Sequence, residues 1–411
     1  MDRREAGFIP ALDGLRGIAI ILVMLHHFTF YQPTSGIGAL ISSVLSFFWI
    51  GVDLFFVLSG FLITGILLDT RGSKRYFTTF YARRTLRIFP LYYLVLFVAL
   101  VVLPQFPRVD DVLAGLTDVA PADRVEVPEW QYWAYLTNVS IAQRGWVHGW
   151  LDVGWSLAIE EHFYLVWPLT VWLCPPRLVA LLCAVILVAE PAARIYARAI
   201  DYPSLWIYVL TWYRLDGLAM GALLAFAHRR GWLPRLDRWV PVVVIAAVAG
   251  LIVCTILGGH TWWWNRRMQQ YGYSLIAIIG GAMLVSAISR PAESVWPRML
   301  SAGWLRAFGT YSYCLYLIHA PVMRAVREYV FDPMEYERLG IAPWSAQVMF
   351  YGATTAPAFA LAWLSWRFFE APILKLKSRF SYSRATGSTP EISSSSSTPQ
   401  ESALTSRPQE R

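Results

Sequence analysis

Apolar runs of about twenty residues, the length a helix needs to cross a bilayer, recur along this chain. Ten can be laid out, at approximately 11–31, 44–68, 87–103, 154–173, 178–197, 205–227, 239–257, 272–289, 304–325 and 346–368. A segment in hydrocarbon must satisfy its own backbone hydrogen bonds. The expected fold is therefore all-α, a polytopic membrane bundle of about ten transmembrane helices. With 56% of residues apolar and 15% charged, an ordinary soluble domain is excluded. The formal charge of +8 raises the question of nucleic acid, but the basic residues lie in short loops between apolar runs. That is the pattern of cytoplasmic loops, so the expected partner is the lipid bilayer and no nucleic acid.

Orientation follows from the same residues. Arg71, Lys74, Arg75, Arg83, Arg84 and Arg87 precede the third run; Arg229, Arg230, Arg235 and Arg238 follow the sixth; Lys375, Lys377 and Arg379 follow the last. An even number of spans with both termini in the cytoplasm puts all three groups inside. The 104–153 loop then lies outside, and it is acidic, with Asp110, Asp111, Asp118, Asp123, Glu126 and Glu129. The N-terminal run is too long for a signal peptide, has no small-residue cleavage site and contains Arg16, so it reads as a retained span. Two spans are suspect: 178–197 holds Glu190 and Pro191, and 205–227 holds Arg214 and Asp216, so either could be broken. The membrane domain is set at 1–376, and 377–411, rich in Ser, Thr and Pro, as a disordered cytoplasmic tail. Cys174, Cys183, Cys254 and Cys314 stand singly, without the spacing of a zinc site or a disulfide framework, so no metal is expected.

Charged side chains inside spans are costly in hydrocarbon and mark cavities or functional sites. In DGLRGIAIILVMLHHF, Arg16 and His27 are eleven residues apart. That is three turns plus roughly 20°, so both share one helix face some ~16 Å apart, while His26 points about 100° away. The bland alternative has Arg16 snorkelling to the headgroups and His27 as a polar residue near the far interface. In GVDLFFVLSGFLIT, Asp53 falls at a depth comparable with His27, where a carboxylate would fix the imidazole tautomer. Its structural alternative is a pair with an arginine. Ser59-Gly60 reads as close packing rather than as a nucleophile.

In FYARRTLRIFPLYY, Arg84 and Arg87 share a face at the start of a helix. Such a pair suits phosphate recognition, although any cytoplasmic loop gathers arginine. In GWSLAIEEHFYLVWP, Glu160 shares a face with Ser156, Phe163, Tyr164 and Trp167, while the adjacent Glu161 diverges by about 100°. A salt bridge from this stretch to Arg16 or Arg214 is the structural alternative. Arg214 and Asp216 sit on different sides of one helix, so each is expected to meet another helix. Tyr313, Tyr316 and His319 are roughly in register, and His319 could line the same cavity or anchor an interface. Trp130, Tyr132, Trp133, Trp146, Trp150 and Trp155 could stack on sugar rings or form an interfacial belt, to which Trp262 to Trp264 are assigned.

Together these stretches resemble the integral-membrane acyltransferase 3 family over about residues 8–376. The arginine and histidine of its opening motif match Arg16 and His27, its arginine pair matches Arg84 and Arg87, its WSL-x-x-EE-x-FY pattern matches Trp155 to Tyr164, and its Y-x-x-YLxH stretch matches Tyr313 to His319. His162 stands where the family more often has glutamine, and no esterase-like domain is expected beyond the last span. The resemblance implies an O-acyltransferase of the bacterial cytoplasmic membrane. It would move an acyl group, by default acetyl, from cytoplasmic acyl-CoA to a hydroxyl of a sugar or glycoside. A cell-envelope polysaccharide or lipopolysaccharide is the first acceptor candidate, and a small secreted metabolite such as a macrolide another.

On this reading Arg84, Arg87 and Arg83 bind the CoA phosphates, and His27 is general base or transient acyl carrier. Asp53 or the Glu160/Glu161 pair would orient the imidazole, and Arg16 would steer CoA or stabilise developing charge. Trp155, Tyr164, Tyr316 and His319 would contact substrate. A transporter or flippase of an amphiphile is the alternative from another class, since it too needs intramembrane charge. A polyprenyl-phosphate glycosyltransferase ranks lower, for want of a loop carboxylate pair suited to a metal-bound nucleotide sugar.

Overall fold

The computed structural model describes residues 9–114, 128–146 and 149–381, and no strand occurs among them. Asp118, Asp123 and Glu126 of the acidic loop and most of the expected tail, 382–411, lie outside the described residues. The chain begins with α1 (Pro10–Phe28), α2 (Gly36–Phe47), α3 (Gly51–Thr70) and α4 (Tyr76–Phe97). Short helices α5 (Pro107–Ala114), α6 (Trp130–Trp133) and α7 (Thr137–Arg144) precede α8 (Gly154–Leu173) and α9 (Pro176–Ala199). Next come α10 (Ser204–Val209), α11 (Leu215–Arg229), α12 (Leu233–Asp237), α13 (Val240–Gly258) and α14 (Tyr273–Ser289). The last are α15 (Val295–Leu300), α16 (Gly303–Tyr329), α17 (Pro343–Ser365) and α18 (Ala371–Lys375).

Among the described residues, seven helices are long and apolar enough to cross a membrane, rather than the ten laid out from sequence: Pro10–Phe28, Gly36–Thr70, Tyr76–Gln105, Pro176–Ala199, Val240–Gly258, Met268–Ser289 and Pro343–Arg379. The other three expected spans, α8, the α10–α11 pair and α16, are helical but shorter or more polar. Their polarity has a place. Helix α11 packs on α3 and α9, α16 packs on α1 and α17, and α8 packs on α3. The polar groups of these three thus face protein rather than lipid, which is where intramembrane charge is tolerated.

Both suspect spans resolve. Helix α9 runs unbroken through Pro191, whereas the 205–227 segment breaks between Val209 and Leu215. The break exposes backbone groups that hydrocarbon cannot satisfy, and charged side chains answer them. The Arg194 guanidinium donates to the Tyr213 carbonyl at 2.9 Å and to Asp216 at 2.9 Å, and Glu190 accepts the Leu215 N–H at 3.3 Å. Arg214 reaches across to Asp53 of α3 at 2.6 Å with its guanidinium over the Tyr273 ring. Arg214 and Asp216 therefore do meet different helices. Asp53, expected beside His27, is instead the buried counter-ion of Arg214, because α11 presents that cation to α3 at the same depth.

Glycine sets the separation of this helix pair. A Cβ on Gly221 would collide with the Val57 carbonyl of α3, and one on Gly60 with the Leu218 carbonyl of α11. The expected packing role of Gly60 is thus what the structure shows. The basic segments gather at one end of the bundle: Arg71 donates to the Trp172 carbonyl at 3.0 Å, Arg229 pairs with Asp69 at 2.6 Å, and Arg83 donates to the Phe380 carbonyl at 3.2 Å.

Asp53→Leu should strand Arg214 as an uncompensated buried charge and lower stability by about 3–5 kcal/mol. The double variant with Arg214→Leu should recover part of that loss, both read from thermal unfolding in detergent. Gly221→Leu should cost about 3 kcal/mol through forced separation of α3 and α11, visible in the same unfolding profile.

Candidate active site

Two chambers occupy the centre of the bundle. The inner one is lined by Arg16 of α1, Ser59 of α3, Arg84 and Arg87 of α4, Ser156, Glu160 and Tyr164 of α8, and Ser312, Tyr313 and Tyr316 of α16. Helix α4 begins at Tyr76, about three turns before the span laid out from sequence, so the arginine pair sits within the helix rather than at its start. That placement carries the guanidinium groups into the bundle, where Arg84 lies over the Tyr164 ring at 5.7 Å and Arg87 over Trp366 at 5.5 Å. Arg16 is within electrostatic reach of Arg87 and of the Glu160 and Glu370 carboxylates.

Glu160, Ser59 and Tyr164 form one hydrogen-bonded chain. The Ser59 hydroxyl donates to Glu160 at 2.5 Å and accepts from the Tyr164 hydroxyl at 3.0 Å. Of the face predicted for α8, Ser156, Glu160 and Tyr164 line the chamber, whereas Phe163 and Trp167 turn away toward His162 and Thr211. Glu161 diverges from it and is not a lining residue, and His162 meets Thr211 at 2.8 Å on the far side.

The outer chamber is lined by His26 and His27 of α1, Trp49, Trp146, Asp152, Trp155, Tyr208, Trp263, and Tyr316 and Arg324 of α16. Tyr316 and Val52 line both chambers. The Tyr316 hydroxyl is held by Ser156 at 2.7 Å and by the Val153 carbonyl at 3.1 Å, which fixes the ring at the junction. The outer wall is aromatic: Tyr208 stacks on Trp263 with ring centroids 4.4 Å apart and meets Trp155 at 4.6 Å. Trp263 therefore belongs to the chamber and not to the interfacial belt assigned to the 262–264 triplet. Trp262 packs against the His26 ring at 5.6 Å.

The ring of His27 is exposed, and it is the outer chamber to which it is exposed. Its Nδ1 stands 2.9 Å from the Val23 carbonyl one turn back. A carbonyl oxygen only accepts, so Nδ1 carries the proton of the neutral ring and Nε2 keeps its lone pair. His319 repeats the arrangement, with Nδ1 2.8 Å from the Tyr316 carbonyl, its Nε2 buried without a protein partner, and its ring centroid 4.8 Å from that of His27. The tautomer expected to be set by Asp53 or by the glutamates is thus set by backbone. Asp53 is taken by Arg214, and Glu160 is taken by Ser59 in the inner chamber.

The structure brings Arg16, Arg84, Arg87, Glu160, Tyr164 and Tyr316 together in the inner chamber, and His27, Trp155 and Tyr316 in the outer one. His319 adjoins His27. Arg83 is not among the lining residues of either. Sequence reasoning set Ser59 aside as packing and passed over Asp152, Tyr208 and Arg324 altogether. Arg324 had a signal, since an arginine five residues beyond His319 in an apolar stretch is as costly as Arg16.

Comparison with known proteins gives these chambers a family. The acyltransferase 3 family, described as an acyltransferase domain, matches residues 9–366. Among curated relatives, the peptidoglycan O-acetyltransferase OatA of Listeria monocytogenes is 32% identical over 385 residues, 91% of this chain and 57% of that protein. The putative peptidoglycan O-acetyltransferase YrhL of Bacillus subtilis is 29% identical over 330 residues, 77% of this chain and 49% of that protein. The O-acetyltransferase OatA of Staphylococcus aureus is 28% identical over 382 residues, 90% of this chain and 57% of that protein. The chain thus spans about half to three-fifths of the length of these relatives, and no solved structure matches it. The match takes in α1, α3, α4, α8 and α16, the helices whose side chains build both chambers, and the chain belongs to the acyltransferase 3 family.

Proposed function

We propose that this protein is an O-acetyltransferase of the bacterial cytoplasmic membrane. It takes an acetyl group from acetyl-CoA on the cytoplasmic side and transfers it to a glycan hydroxyl on the outer side, with peptidoglycan as the first candidate acceptor. The observation that carries this reading is the pair of chambers meeting at Tyr316 and Val52, one cationic and one holding a base among aromatic rings. The basic end of the bundle supports a cytoplasmic inner face. The relatives, named as peptidoglycan O-acetyltransferases, support acetyl as the group and an envelope glycan as the acceptor.

In this mechanism the phosphates of CoA engage Arg84 and Arg87, and Arg16 steers the donor inward. Arg16 lies three turns from His27, too far to stabilise charge at the imidazole, so its part is with the donor. The thioester reaches the junction at Tyr316. The acceptor sugar stacks on the wall formed by Trp155, Tyr208 and Trp263 and offers its hydroxyl to Nε2 of His27. Nε2 takes the hydroxyl proton as the oxygen bonds the carbonyl carbon. The C–S bond then breaks, and the departing thiolate recovers that proton, leaving an ester and free CoA thiol. The Val23 carbonyl stabilises the imidazolium formed between these steps by keeping its bond to Nδ1–H.

Purified protein in lipid nanodiscs, given acetyl-CoA and a soluble glycan acceptor, should release CoA thiol in step with acetylated product. Transport without thiol release would identify a flippase instead. His27→Ala should lower the transfer rate by about 10²- to 10⁴-fold while the protein still inserts and purifies as a single species. Trp263→Ala should raise KM for the glycan by about two- to tenfold and leave KM for acetyl-CoA unchanged, as steady-state kinetics in both substrates would show.

A further inference from the structure

Residues 377–381, assigned from sequence to the start of a disordered tail, fold back with Leu376 onto α4. The Phe380 carbonyl accepts from Arg83 at 3.2 Å, and the Ser381 carbonyl accepts from the Thr79 hydroxyl at 3.5 Å. Helix α18 and the turn Leu376–Arg379 both pack against α4. This docking delivers the half-buried Lys377 to within electrostatic reach of Arg87, Arg84, Arg83 and Arg16. Five cations from three separate segments thus come together beside the inner chamber. Among the described residues, the carboxylates in reach of them include Glu370, beside Arg87 and Arg16, and Glu160 and Glu161, both beside Arg84.

A cluster of cations at the edge of a low-dielectric bundle attracts anions. Guanidinium forks combined with a mobile ammonium suit several phosphate oxygens rather than one carboxylate. Arg84 and Arg87 line the chamber, whereas Lys377 and Arg83 stand outside its lining, with Arg83 donating to the Phe380 carbonyl. That order, from lining to surround, matches a ligand whose reactive end enters first and whose phosphorylated end stays behind.

We propose that the segment 376–381 forms one wall of the donor site and that Lys377 is a phosphate-binding residue gripping the nucleotide end of a CoA thioester. The proposal rests on acetyl-CoA being the donor. The same chemistry could serve an anionic lipid headgroup, and the experiment separates the two sources.

Full-length protein and its Lys377→Met variant are placed in nanodiscs of phosphatidylcholine alone and of phosphatidylcholine with one-third phosphatidylglycerol, and CoA is titrated by calorimetry. Loss of one charge-assisted contact should weaken CoA binding about tenfold in both lipids, and Lys377→Arg should restore it. In turnover, KM for acetyl-CoA should rise by about the same factor with kcat within about twofold. S-acetyl-pantetheine, which lacks the nucleotide phosphates, should be used equally by both proteins. Equal CoA affinity of the two proteins would overturn the role of Lys377 while leaving the donor assignment intact. An equal loss with S-acetyl-pantetheine would assign Lys377 to structure and overturn it likewise. A difference appearing only with phosphatidylglycerol would assign the cluster to lipid. A wild-type protein that neither binds CoA nor releases its thiol would overturn the donor assignment itself, and this inference with it.

Discussion

The Arg214–Asp53 ion pair is the contact on which the interior depends. It ties a broken helix to α3 at a depth where neither partner has access to water, both being almost wholly buried. Alone it would be a poor device, since desolvating two charges offsets most of what their attraction returns. Here the cost is spread over a network. Arg214 also lies over four aromatic rings, and Arg194, Asp216, Glu190 and Ser274 answer one another beside it. The pair clamps α11 against α3, and the preceding helix α10 supplies Tyr208, which stacks on Trp263 and meets Trp155. One electrostatic contact thus sets the wall of the outer chamber, its guanidinium lying over the rings of Trp155 and Tyr208.

The same network explains why the two chambers can exist in a membrane protein. A polar passage needs helices that are not apolar enough to face lipid, and α8, α11 and α16 are of that kind. They are shielded by α9, α13 and α17, whose outward faces are extensively exposed in the structure, with Val188, Ile245, Ile256 and Val348 among the residues turned outward. The division of labour is sharp in the sequence itself: α13 carries no charged side chain, while α16 carries His319, Arg324 and four tyrosines along its length. Chamber polarity sits on one set of helices, and lipid compatibility on another.

Much of this was legible in the residues and some was not, for physical reasons. The period of 3.6 put Arg16 and His27 on one face and grouped Ser156, Glu160 and Tyr164, because helix geometry is local and nothing in the tertiary structure overrides it. Arg214 and Asp216 were assigned to separate partners for the same reason. Which partners they take was not legible. Asp53 is equidistant, as far as one sequence can say, from an imidazole and an arginine, and only the packing of α11 on α3 decides between them. The start of α4 was misplaced because arginine was read as loop. A helix that buries its arginines against Tyr164 and Trp366 offers them a surface that hydropathy does not register. Trp263 was assigned to a belt because two of its neighbours are tryptophan as well, yet consecutive residues in a turn point in different directions.

The junction at Tyr316 gives the geometry its final constraint. If donor and acceptor enter from opposite faces, the group transferred must cross a plane that neither substrate passes, or the membrane would leak through an open channel. A tyrosine whose hydroxyl is tied to Ser156 and to the Val153 carbonyl narrows that plane with a ring rather than with a charge. The separation of Arg16 from His27 by three helical turns of α1 is what the proposed reaction across the bilayer would require, with the donor's charged end and its reactive end on opposite sides of the ring of Tyr316.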